Sequence, residues 1–498
     1  MATGSSLSIS EKEVQRLIRF LNDASGTHRS KTVRSSMWIG LSSLIAKSFD
    51  LVISVILARL LVPEIFGLVG IVIFIQQGIE VLTQTSFKQA LIYRQDNVEQ
   101  SVDTAWILSV IRGFLLFVLV FSAAPWISEF YGQPLLSKAV RFIALIFILD
   151  GFYNINMVLF DKSLDFKKIA ISRMLGSFLY GSVALSLALA SKSIWALLIG
   201  MIFRSLYSLC VSYLIQKRKP RFHFSKKLAG ELIRYSKYVT GAGILVFFTT
   251  RGDDAIIGKI LGMRELGFYA YAYMIANLPA THVTNILSEV FFPSYSVISG
   301  DTEKLRKIYL SVCKFVAYIA IPTGAGIFVL SRELVVLLLG AQWEPVIGPL
   351  KILLLFGVTR SLAATTGPVF KAVGKPNIIF YLTLGKLVFI LSIIYPLTKS
   401  FGIMGSSAAV TIPMVAEQLY LWVILKKILN VSLRDIGLQL SRPFITGLVT
   451  AGTLTSLRVY FPVEEVLALG FHILLGIAVC GALAFALDRK YFMRILNG

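Results

Sequence analysis

The stretch LARLLVPEIFGLVGIVIF, residues 57–74, holds the end of one apolar run with a cation at Arg59, a short Val-Pro-Glu link, and the start of a second apolar run. It recurs as IGKILGMRELGFYAYAYM, residues 257–274. In this register Arg59 falls on Lys259, Leu61 on Leu261 and Gly67 on Gly267. Roughly six spans of membrane length separate the copies, an even number, so both point the same way across a bilayer. A parallel repeat about an axis along the membrane normal is a plan used by transporters that hold a cavity between two bundles. The plainer alternative is that any two helix–turn–helix units of a polytopic chain share this pattern.

Outward from that unit, nearly every stretch longer than about twenty residues is apolar enough to span a bilayer. Of the 498 residues, 56% are hydrophobic and 15% charged, with a mean hydropathy of +0.75. A water-soluble core of this size would need polar surface that the sequence does not contain. Backbone groups facing lipid must be bonded within their own segment, so the runs predict an all-α, polytopic membrane protein of about fourteen transmembrane helices. They fall at 37–61, 65–85, 104–124, 139–160, 169–190, 194–215, 235–261, 267–290, 308–330, 345–373, 378–398, 402–425, 443–460 and 463–486. The expected organisation is a tail (1–35), a first lobe (36–216), a basic interlobe loop (217–234), a second lobe (235–427), and a C-terminal part (428–498) whose two helices have no partner in the repeat. Residues 11–21 could add a short surface helix.

The net charge of +22 reads as topology and contact with anionic lipid headgroups. With the N-terminus in the cytoplasm, cytoplasmic segments hold roughly thirty Lys and Arg and the opposite side roughly eight. The densest cluster is QKRKPRFHFSKK, 216–227. Both termini are therefore expected in the cytoplasm. No basic domain with interleaved aromatics stands apart from the membrane, which excludes nucleic acid as the partner. Trp38, Trp106, Trp126, Trp195, Trp343 and Trp422 fall near predicted helix ends, where amphipathic rings favour the interface. Cys210, Cys313 and Cys480 show no metal or disulfide spacing and read as packing residues. Pro279, Pro322, Pro368 and Pro413 lie inside second-half spans, whereas Pro63, Pro125 and Pro134 lie in links or near helix ends. Interior proline favours a kink, so the second lobe is expected to bend more.

A charge at the bilayer centre costs at least about 2.5–3.5 kcal/mol, so such residues face a cavity or a partner. The first span holds Lys47 and Asp50, and the seventh holds Arg251, Asp253 and Asp254; Arg251 and Asp254 repeat the basic-x-x-acidic spacing. Either these are intrahelical pairs that merely neutralise themselves, or they line a cavity. Arg112, Asp150, Arg204, Arg360, Lys386 and Glu417 are also deep, and the lone His472 is given no role. Cations outnumber acids among the deep positions, which suits an anionic solute, and the planar fork of Arg suits phosphate. The expected cargo-binding set is Lys47, Asp50, Arg112, Arg204, Arg251, Asp254, Arg360 and Lys386. Asp50, Asp253, Asp254 and Glu417 are the expected sites for a coupling proton or sodium ion. Gln76, Gln77, Asn154, Asn156, Asn277, Asn285 and Gln418 could bond sugar hydroxyls or serve helix–helix hydrogen bonding.

The chain has no phosphate loop of the G-x-x-x-x-G-K-[ST] kind, no H-E-x-x-H and no Cys pair of zinc spacing. No metal or other cofactor is called for, catalysis is not expected, and transport is the default.

Four blocks carry a family resemblance: LARLLVPEIFGLVGIVIF, FDKSLDFKKIAISR, FFPSYSVISGDTEKLRKIY and LLGAQWEPVIGPLKILLLFGVTRSL. In their order and spacing the chain resembles the Wzx-type polysaccharide transporters of the MOP superfamily, closest to the colanic-acid-type exporters. That superfamily also includes drug/cation antiporters and the peptidoglycan lipid flippase. The resemblance implies two six-helix lobes in a V, two extra helices, and a central cationic cavity opening alternately to either side. The implied cargo is a polyprenyl-diphosphate-linked oligosaccharide, flipped across the cytoplasmic (inner) membrane of a bacterium. It further implies a monomer that could work beside a polysaccharide polymerase and a chain-length regulator. The rival readings are a cation-coupled multidrug exporter, which favours an acidic cavity, and a non-transport component of polysaccharide assembly.

Overall fold

The computed structural model describes residues 27–83, 91, 98–162, 166–280 and 301–497. The expected surface helix at 11–21, together with His282, Asn285 and Glu289, lies outside them. Among the described residues the chain is helical, without a strand.

Helix α1 (Thr27–Leu60) passes to α2 (Pro63–Leu82) through Leu61 and Val62 alone. Pro63 sits in the first turn of α2, where a missing N–H costs nothing. The repeated unit is α9 (Lys226–Ile260) and α10 (Met263–Ala276), with Gly262 at φ +89° making the turn. A Cβ on Gly67 would lie 1.7 Å from the Met263 carbonyl oxygen, and one on Gly267 would lie 2.0 Å from that of Pro63. This reciprocity is that of a two-fold axis between α2 and α10, and it allows the two backbones to touch as small residues do in membrane helix pairs.

In the first group α3 (Val98–Tyr131) packs on α4 (Pro134–Ile143) and α5 (Leu145–Gly151), α6 (Val158–Lys162) touches α7 (Phe166–Ser191), and α7 packs on both α1 and α8 (Trp195–Ile215), which in turn meets α4 and α5. In the second, α11 (Thr302–Val329) and α13 (Thr366–Ala372) pack on α12 (Ile347–Ala363) and α14 (Asn377–Leu429); α14 packs on α9 and α10, and α12 on α10. The chain ends in α15 (Leu433–Tyr460), α16 (Val466–Leu487) and α17 (Arg489–Asn497). The two groups meet where α2 lies against α9 and α10. There Phe74 stacks on Phe247 with ring centroids 5.3 Å apart, and the Tyr271 hydroxyl donates to the Ser54 carbonyl at 2.9 Å.

Several expectations change. The span at 139–160 is interrupted at Ala144 and again at 152–154. The span at 345–373 is preceded by a π-helical turn (Leu334–Leu339) and a 3₁₀ stretch (Ala341–Val346), and it breaks between α12 and α13. Pro125 lies inside α3, which runs on to Tyr131, so interior prolines are not confined to the second half. Trp343 and Trp106 are buried and do not anchor in the interface. Trp343 sits between Phe66 and Tyr271, with ring centroids at 5.5 and 4.3 Å, and its Nε1–H donates to the Ala58 carbonyl at 2.8 Å. Of the C-terminal helices without a partner in the repeat, α15 runs along α11.

Eight helices among the described residues are long and apolar enough to cross a membrane. One of them, α14, holds two crossings. Lys386 and Glu417 would be some 46 Å apart along a straight helix at 1.5 Å per residue, yet their side chains meet at 2.7 Å. The chain reverses at Gly402, whose φ of 58° suits a residue without Cβ. The other expected crossings coincide with helices that carry interior charge (α1, α9, α15), are broken into pieces (134–162), or run into residues outside the described ones (263–280).

Candidate functional site

Helices α1, α7 and α8 bring charge together inside the first helix group. α1 packs tightly on α7 at Gly181, where a Cβ would meet Phe49 at 2.6 Å and Ile53 at 2.8 Å. In the same stretch of helix as Phe49 and Ile53, α1 presents Lys47 and Asp50 to a cavity of about 290 Å³, lined also by Ser42, Ser43, Arg173, Ser177 and Arg204. A neighbouring cavity of about 390 Å³, reaching Tyr153, Ser172, Tyr207 and Ser208, shares Ile169, Arg173 and Arg204 with it. Lys47, Arg173 and Arg204 form no hydrogen bond or ion pair with another described residue. Asp50 accepts from Ser177 at 3.5 Å through one oxygen, while its other oxygen is buried without a partner among the described residues. Three cations thus face one carboxylate and several hydroxyls, an arrangement whose chemistry suits a multiply charged oxyanion.

The remaining expected cargo residues are bonded elsewhere. Arg112 donates to Thr83 Oγ1 at 2.9 Å and to the Glu80 carbonyl at 3.2 Å, tying α3 to α2. Arg251 pairs with Asp254 at 3.3 Å within α9, the self-neutralising arrangement. Arg360 donates to Asn277 Oδ1 at 2.8 Å. Lys386 and Glu417 pair with each other across the α14 reversal. Asp253 and Asp254 are both buried; Asp253 accepts from the Tyr269 hydroxyl, and Tyr273 lies 6.0 Å from Tyr269 by ring centroids. In the register fixed by Gly67 and Gly267, Asp50 falls on Thr250 and Asp254 on Ser54. The two charge pairs therefore stand one helical turn out of step and do not form one symmetric ring.

Asn154 and Asn156 are structural. Asn154 Nδ2 donates to the Arg218 carbonyl at 3.0 Å, and Gln216 Nε2 donates to the Asn156 carbonyl at 2.9 Å, pinning the start of the basic loop. Asp103 continues the clasp by accepting from the Arg221 backbone at 3.1 Å. His472 is buried, with Nδ1 against the Ala468 carbonyl at 2.8 Å. Arg173 escaped the sequence reading because it follows Lys167 and Lys168 at a span start, where a cation reads as topology. Its one signal is the place it holds in the FDKSLDFKKIAISR block.

The family described as polysaccharide biosynthesis protein matches residues 56–348, more than half of the chain. The lipopolysaccharide biosynthesis protein WzxC of Escherichia coli K12 is 27% identical over 437 residues, 85% of this chain and 86% of that protein. The succinoglycan biosynthesis transport protein ExoT of Rhizobium meliloti is 26% identical over 73% of this chain and 74% of its own. Among solved structures, the lipid II flippase MurJ in an inward closed conformation matches with a TM-score of 0.75, covering 92% of this chain and all of MurJ at 14% identity. At that identity the likeness is one of fold.

Proposed function

The chain belongs to the polysaccharide biosynthesis protein family, and from that premise we propose that it flips polyprenyl-diphosphate-linked oligosaccharide units across the membrane for surface polysaccharide synthesis. It is a multi-pass helical membrane protein, and its relatives WzxC and ExoT carry names from the same biosynthetic setting. The observation that carries the reading is the group of three cations, Lys47, Arg173 and Arg204, that form no ion pair among the described residues and line adjoining cavities inside an apolar bundle.

In this reading Arg173 and Arg204 grip the two phosphates and Lys47 closes over them, where a low dielectric strengthens the attraction. Ser42, Ser43, Ser172 and Ser177 supply hydroxyl donors, and the polyprenyl tail stays in lipid. The termini and the 216–227 loop face the cytoplasm, following the excess of Lys and Arg on that side, in the inner membrane of a bacterium. The end at which α1 meets α2 then faces outward. Asp50 opposes the diphosphate from within the same cavity, so a proton or cation there would ease binding. Asp253, beside Asp254, offers a second cation position, whereas Asp254 is held by Arg251 and Glu417 by Lys386. The chain catalyses no covalent step, and the lobes (36–216 and 235–427) rock to exchange access. A polymerase and a chain-length regulator are the expected neighbours of a monomeric flippase.

Proteoliposome flipping of a lipid-linked oligosaccharide tests this. Arg173→Gln with Arg204→Gln should reduce the rate at least tenfold while the protein stays monodisperse. Unchanged flipping removes the proposed site. Efflux of amphipathic cations without any movement of lipid-linked sugar would favour the drug exporter instead.

A further inference from the structure

The repeat places Arg59 on Lys259, and both cations reach across to the opposite half of the molecule. Arg59, at the end of α1, donates through Nε to the Leu338 carbonyl at 2.7 Å and through its terminal nitrogen to the Leu337 carbonyl. Lys259, at the end of α9, donates to the Phe130 carbonyl and lies 4.6 Å from the centre of that residue's ring. The acceptors are equivalent too. Phe130 and Leu338 each stand two residues before a glycine of positive φ that ends the helix, Gly132 at +65° and Gly340 at +107°. Carbonyls there have no partner further along their helix, and the negative end of the helix dipole draws a cation to them.

We propose that Arg59 and Lys259 are a symmetric pair of latches that hold the two lobes together at the outward end and are released when that end opens. Each is carried by one lobe and grips a helix end of the other, on opposite sides of the axis that passes between Gly67 and Gly267. Opening that end parts both bonds together, which makes release cooperative. Gln342 adds a one-sided hold, donating to the Ala58 carbonyl at 3.1 Å. The latch residues are exposed cations on helix ends, remote from the pocket of Lys47, Arg173 and Arg204. The inference takes only its orientation from the proposed function, and it stands or fails without knowledge of the cargo.

Spin labels on Lys138→Cys and Glu344→Cys, in a chain whose native cysteines are replaced, report the separation of the lobes at this end by pulsed dipolar spectroscopy in nanodiscs. Without further change the short distance should dominate. Arg59→Gln or Lys259→Gln should raise the ratio of long to short distances roughly three- to tenfold, the weight of a charged hydrogen bond discounted for exposure, and the double variant should raise it further. Arg59→Lys and Lys259→Arg keep a charged donor and should restore the short distance, which a residue needed only for folding would not do selectively. An unaltered distribution in a monodisperse double variant overturns the latch, whatever the flipping assay gives. If the Gln variants do not fold, equal distributions in the charge-keeping variants and in Arg59→Met, Lys259→Met overturn it in the same way.

Discussion

Gly67 and Gly267 allow two helix backbones to touch, and what a methyl group would meet there is carbonyl oxygen at 1.7 and 2.0 Å, not the end of a flexible side chain. Backbone cannot step aside locally, so Gly67→Ala and Gly267→Ala should each destabilise this closed arrangement by about 1–3 kcal/mol or more, as overpacking does. Gly70 is on the same helix, but a Cβ there would find only Leu266 at 3.9 Å. Gly70→Ala should therefore melt within a degree or two of the unaltered protein. Thermal unfolding in detergent compares the three; equal losses at Gly67 and Gly70 would mean that the close contact is not maintained in solution. Sequence alone aligned the two glycines but could not tell that they touch each other, because alignment gives equivalence and not proximity. Trp343 teaches the converse. Its position near a helix end read as interfacial, yet its ring is buried between the halves and its N–H serves α1.

Two ionic attachments, one a pair and the other a carboxylate held by two cations, decide how particular helices are held. In α14, Lys386 and Glu417 bridge the two arms of the reversal, both largely buried, at 2.7 Å. Removing one partner leaves a charge stranded, so Glu417→Gln should cost about 3–5 kcal/mol, while Lys386→Met with Glu417→Leu should recover most of that loss. Chemical unfolding of the single and double variants checks the pattern; a double variant as weak as the single would show that the pair does more than neutralise itself. At the other end of the chain, Asp488 follows α16 and is grasped by Lys314 of α11 and Arg442 of α15, with the Tyr318 hydroxyl at 3.0 Å. Burial alone pushes this carboxyl up, but the hydrogen bonds of Lys314 and Tyr318 and the charges of Lys314 and Arg442 outweigh it and hold it below its ordinary 3.8. A carboxyl lowered by folding stabilises above its unfolded value, and that contribution disappears as pH falls through the lowered one. Asp488→Asn should thus melt earlier at pH 7 and lose the part of the decline below about pH 4 that the unaltered protein has. Melting curves from pH 3 to 7 compare the two; parallel curves would remove Asp488 from the account. Neither attachment was legible beforehand. Lys386 and Glu417 fall in two separate predicted spans, 378–398 and 402–425, and Lys314 in a third, and hydropathy counts spans without saying which of them are neighbours.

The helical, polytopic plan was readable because it rests on short-range rules: apolar runs of bilayer length and a recurring Arg59/Lys259 unit. The breaks at 152–154 and before α12 were not, since tertiary packing and an irregular turn override a hydropathy window that averages across them. The candidate pocket was half legible: Lys47, Asp50 and Arg204 stand out as charges deep in predicted spans, whereas Arg173, close after Lys167 and Lys168, does not stand out from the cations of the loop. Joined together, these features describe two bundles closed against each other at one end by Phe66, Tyr271 and Trp343 and further in by Phe74 on Phe247, with the cationic pocket set within the first. The proposed cargo, a glycosylated diphosphate, is too bulky to pass this seal, so in that reading the bundles separate in every cycle. Phe74→Cys with Phe247→Cys, joined by a short methanethiosulfonate linker, should arrest flipping in proteoliposomes, and reduction of the linker should restore it. Each single cysteine treated alike should transport as before. Flipping that continued with the link demonstrably in place would mean that the halves do not part along this seam, and a route through the first bundle alone would have to replace the rocking of one against the other.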